Sequence, residues 1–162
     1  MNNEKLIEEK LRIEDTLKNG AGWFYWIAGL SLINSLLMLF SSDWSFVAGL
    51  SITQIIDYIA YDLSLELGGA VTIIGLIINL IIIGLYVLLG VFANKGRNWS
   101  FIVGFILYGL DTLLLVFIMD YVSIIFHVMA LYSIFKGYKA NKQLKELTGN
   151  LEELSSTHLQ EA

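Results

Sequence analysis

The chain has 162 residues, 56% of them hydrophobic and 15% charged, with a formal net charge of −5 and a mean hydropathy of +0.67. A soluble domain of this length could not hide so much apolar surface, so the composition points to a lipid environment. The absence of cysteine and proline excludes disulfides, thiolate metal sites and cysteine nucleophiles and favours unbroken helices; without a basic patch interleaved with aromatics, nucleic acid is not an expected partner.

Residues 1–20 read as a charged, cytosolic N-terminal helix. Glu8 and Arg12, and Lys10 and Glu14, are spaced i,i+4. Asn19-Gly20 is a plausible stop. Residues 21–41 have the length a bilayer core needs. Trp23, Tyr25 and Trp26 suit an interfacial aromatic belt, and Asn34 is the strongly polar residue inside.

Residues 46–63 form an irregular piece. From Phe46 to Ala60 a helix is ~22 Å long, short of the ~30 Å of hydrocarbon. Isoleucines gather on one face and polar groups, Gln54 among them, on another, with Asp57 at the edge. The pattern predicts an amphipathic helix at the outer face, lying in the interface or dipping partway in as a re-entrant segment.

Residues 69–94 form a second span containing Asn79, with Gly75, Gly84 and Gly90 placed for close helix approach. After a short Lys-Gly-Arg-Asn loop come spans over 99–119 and 121–138, turned at Met119-Asp120-Tyr121. Each of these carries an ionisable residue, Asp111 in one and His127 in the other. Counting from the turn places both roughly 11–13 Å deep, at one level in an antiparallel pair. Residues 139–162 read as a cytosolic amphipathic tail. Its Leu144, Leu147, Leu151 and Leu154, spaced 3,4,3, make a short coiled-coil-like seam for a partner.

No lysine or arginine lies between Lys18 and Lys95, or between Arg97 and Lys136. Four spans with both termini in the cytoplasm put every basic residue on the inner side. The expected fold is therefore an all-α, polytopic four-helix bundle with cytosolic helical extensions. Asn34-Ser35-Leu36-Leu37 resembles Asp111-Thr112-Leu113-Leu114, and Ala93-Asn94-Lys95 resembles Ala140-Asn141-Lys142. A duplicated two-helix hairpin explains these matches; so does chance among leucine-rich helices.

Asn34, Asn79, Asp111 and His127 should form a polar layer facing inward, because a lipid-facing charge is costly. Asp111 and His127 could work as an acid–base pair, the catalytic candidate. Metal ligation would need a third protein ligand, from Asp57 or Asp120, and no cofactor can be named. The same residues could instead bond helix to helix. Three functions follow: a non-enzymatic scaffold or accessory subunit, the preferred reading; a membrane-embedded acid–base or metal-dependent enzyme acting on a lipid or small molecule; and a small oligomeric proton-coupled transporter. The expected partners are the bilayer and a second copy or another membrane protein, met through the spans or the C-terminal helix.

Overall fold

The computed structural model describes residues 3–40 and 49–160, with side chains described for 4–40 and 49–151. Asp43, the first residues of the 46–63 segment and the side chain of Leu154 lie outside the described residues. Among the described residues five helices follow one another: α1 (Asn3–Leu39), α2 (Ser51–Leu67), α3 (Ala70–Asn94), α4 (Asn98–Ile118) and α5 (Tyr121–Gln160). Four of them, α1, α3, α4 and α5, are long and apolar enough to cross a membrane.

The four long helices form an antiparallel ring in which α1 touches α3 and α5, and α4 touches the same two. The short α2 packs against α3, α1 and α4. Two ends result. Residues 17–20, 94–98 and 137–144 meet at the terminal end, from which the outer parts of α1 and α5 extend. Gly68-Gly69 and Met119-Asp120 turn the chain at the hairpin end.

The distribution of polarity is inverted relative to a soluble protein. Ser31, Asn34, Asn79, Asp111 and His127 are buried, while Trp26, Ile81, Ile106, Phe117 and Ile125 are among many large apolar side chains exposed. An apolar exterior of this extent is stable only against lipid or a partner. Inside, aromatic rings form a continuous column. Phe101 meets Phe24 at 6.2 Å, Phe24 meets Tyr86 at 6.5 Å, and Tyr86 meets Tyr108 edge-on at 6.4 Å.

Helix boundaries depart from the sequence reading at two junctions. Asn19-Gly20 does not stop a helix; α1 runs through it for 37 residues. Gly20 serves close packing instead: a Cβ there would sit 2.5 Å from the Gly137 Cα of α5. Likewise α5, 40 residues long, continues unbroken past residue 138 into the tail. Leu144 and Leu147 pack against the core cluster that holds Ile13 and Leu17 of α1. Those two leucines of the seam therefore have packing neighbours within the same chain.

The α2 helix departs from expectation in where it starts. It begins at Ser51 rather than at residue 46, and Leu50, Ser51 and Thr53 at its start are buried. The helix then runs outward to Gly68, whose φ of 91° lets the chain reverse into α3. Ala60 abuts Gly75, where any Cβ would meet it at 2.5 Å. The Met119 turn falls where the sequence places it, although Met119 takes a left-handed φ of 61° that usually falls to glycine.

Candidate functional site: a buried helix start held by every long helix

A helix N-terminus carries unpaired N–H groups and a partial positive charge. Inside an apolar bundle these must be met by protein groups. The residue before α2 is Leu50, which offers no side-chain cap. The neighbouring helices supply what is missing. Ser31 of α1 accepts from the Leu50 N–H at 2.7 Å. Asp111 of α4 accepts from the Ser51 N–H through Oδ2 and from the Ile52 N–H through Oδ1, both at 2.9 Å. Asn79 of α3 donates through Nδ2 to the Thr53 carbonyl at 3.0 Å. His127 of α5 completes the set through Asp111, its Nε2 3.1 Å from Oδ2.

His127 Nδ1 lies 2.8 Å from the Ser123 carbonyl, which can only accept, so Nδ1 carries a hydrogen. Nε2 faces Asp111 Oδ2, and the two side chains are 1% and 3% exposed. Tyr108 stacks on the imidazole, with centroids 4.5 Å apart and planes inclined by 11°.

A second polar group stands on the α3 side of α2. Asn79 Nδ2 donates to Ser35 Oγ at 3.1 Å, and Ser35 Oγ donates to Asp57 Oδ2 at 2.7 Å. The Asn79 Oδ1 and Ser51 Oγ atoms are buried without a hydrogen-bond partner among the described residues. Asn34 is buried on α1, and its Nδ2 lies against Gly49, where a Cβ would stand 2.6 Å away.

The candidate residues thus fall into separate places. Asp111 and His127 touch; Asn79 joins Ser35 and Asp57; Gln54, half-buried, bonds to neither group. Asp120 is the N-terminal cap of α5, accepting from the Ser123 N–H at 3.1 Å and from its hydroxyl. Among the described residues no three His, Cys, Asp or Glu side chains converge as metal ligands would. Ser31, Ser35 and the buried start of α2 were missed from sequence. The available signal was the lack of any capping side chain at Leu50, which left its N–H groups to be met from elsewhere.

No family model, curated protein or solved structure matches the chain.

Two cavities bear on these groups by position. One, of ≈ 170 Å³, lies at the hairpin end between α1, α2 and α3 and reaches Ser35 and Asp57. Another, of ≈ 390 Å³, lies at the terminal end beside Asn141 and Lys145. Neither is bordered by Asp111 or His127.

Proposed function

We propose that this is a four-span membrane protein whose Asp111–His127 pair is structural. On this reading it acts as a non-enzymatic scaffold or accessory subunit. The observation that carries the reading is the commitment of the pair: both Asp111 oxygens and both His127 nitrogens are engaged within the protein. An acid–base catalyst needs one of those positions to face a substrate. Here they fasten α2 to the bundle.

The orientation belongs to the same proposal. Every lysine and arginine lies on the terminal-end side of the bundle, and Asp62, Glu66 and Asp120 at the other. The positive-inside rule then puts both termini in the cytoplasm and makes α2 a re-entrant helix entered from the outer face. Among the described side chains the exposed large apolar ones of α5 end at Phe135, and Lys136, Lys139 and Lys142 fold back over Tyr132, Phe135 and Tyr138. Such lysines suit the inner edge of the hydrocarbon layer. Tandem duplication is supported by two antiparallel pairs, α1 with α3 and α4 with α5.

The pair is tested with Asp111→Asn, His127→Ala and the double variant in lipid nanodiscs. Each single change should cost about 3 kcal/mol of stability, as when one member of a buried ion pair is lost. The double variant should lose far less than the sum. Diethylpyrocarbonate should leave His127 unmodified in a folded His158→Gln background. Rapid modification of His127, together with an unfolding midpoint indifferent to Asp111→Asn, would overturn the structural role.

A further inference from the structure

Among the described residues Asp57, unlike Asp111, has no ionic partner. No lysine or arginine occurs between Lys18 and Lys95, so the membrane part of α1, all of α2 and the body of α3 contain none. His127 is committed to Asp111. Ser35 donates a neutral hydrogen bond to Asp57, which does not cancel its charge. A half-buried carboxylate without a protein cation is unstable in apolar surroundings unless it meets a proton or an external cation.

The space beside it is shaped for the latter. Asp57 and Ser35 line the ≈ 170 Å³ cavity together with Tyr61, Ser64 and Thr72. These side chains offer a carboxylate, three hydroxyls and a phenol, all with oxygen acceptors. Met38, Leu39 and Leu76 supply an apolar remainder of the wall. A bare metal ion would leave that apolar part without purpose. A primary ammonium fits both parts: three N–H donors for the oxygens and a short carbon chain for the apolar side chains.

We propose that the hairpin-end cavity binds a primary ammonium group, with Asp57 as its counter-ion and Met38, Leu39 and Leu76 around its carbon substituent. This goes beyond the structural reading of Asp111 and His127 and does not rest on it. The ammonium has two sources, a small free alkylamine or the ethanolamine headgroup of a phospholipid in the adjoining leaflet.

The test is the unfolding midpoint of the protein in phosphatidylcholine nanodiscs at pH 7, titrated with propylammonium chloride and, separately, with sodium chloride. Propylammonium should raise the midpoint saturably, and sodium at equal concentration should not. Asp57→Asn should weaken the apparent affinity at least tenfold. Leu76→Trp, which fills the cavity and leaves Asp57 in place, should do the same. Replacing the lipid by phosphatidylethanolamine separates the sources. A raised midpoint that propylammonium no longer moves identifies the headgroup, and a retained propylammonium response identifies the free amine. The proposal is overturned if sodium acts as propylammonium does, if both variants respond like the wild type, or if neither amine source shifts the midpoint.

Discussion

Asp111 illustrates how one side chain can serve two neighbours. Its two oxygens receive the first N–H groups of α2, and one of them also faces His127. In a soluble protein water would complete a helix start. Here a residue some sixty positions away in the chain does so. Asp120, by contrast, acts locally on its own helix. The Ser123 hydroxyl, aided by the Ser123 backbone N–H, outweighs partial burial and holds its carboxyl below the ordinary aspartate range. A lowered folded value means stabilisation that is present above the unfolded pKa and lost as pH falls through the folded one. Asp120→Ala should therefore cost about 1 kcal/mol at neutral pH, the usual worth of a cap. The gap from wild type should close as the pH is taken below about 3.9, measured by unfolding midpoints across pH 3–7. A gap that persists undiminished at the acid end would deny the carboxylate this role.

Among the elements, α2 is the one whose environment the sequence leaves open. Its isoleucine face and polar face suit a helix lying in the interface or dipping partway in. In the structure its first turn is enclosed, with Leu50, Ser51 and Thr53 buried, while Leu65 and Leu67 at its far end are exposed. Amphipathic periodicity records which face is polar, and it cannot say whether the polar face meets water or buried side chains. Glycine carries a similar ambiguity. Gly20 reads as a stop, yet its role is to let α1 and α5 touch backbone to backbone. Gly84, read as a packing position, has nothing within 4 Å of a Cβ added there. Gly20→Ala should lower stability by about 1–3 kcal/mol, because the obstructing atoms are backbone and cannot turn aside. Gly149→Ala, where an added Cβ meets nothing within 4 Å, should change stability in the opposite direction by roughly 0.5–1 kcal/mol. Chemical denaturation of the two variants side by side checks both signs.

At the scale of the whole molecule, the inverted polarity is the organising fact. The buried set contains an aspartate, a histidine, asparagines and serines, and the exterior of α3 is largely isoleucine and leucine. Such a molecule can keep polar groups inside because α1, α3 and α4 each bring one to the start of α2 and α5 backs Asp111 with His127. The lack of native cysteine makes its orientation directly measurable. Glu66→Cys and Gln143→Cys lie toward opposite ends of the bundle. A membrane-impermeant maleimide should label Glu66→Cys on intact cells, and Gln143→Cys only after permeabilisation. The reverse pattern would invert the proposed orientation.

Residue order by itself determined the number of long apolar helices, because a crossing demands about twenty apolar residues, but not their length, since α1 and α5 run on through the charged extensions. It also determined the shared depth of Asp111 and His127. A turn at Met119-Asp120 and a fixed rise per residue make their level a matter of counting. Tertiary structure alone decided what that level is for. Counting along a helix gives height but not azimuth, and it says nothing about a segment that re-enters from another part of the chain. The bonds from Asp111 to Ser51 and Ile52, the separation of Asn79 with Asp57 into a second group, and the packing of Leu144 against the core all depend on which faces meet. That choice is made by close packing and by the need to satisfy every buried N–H, and both are properties of the assembled bundle.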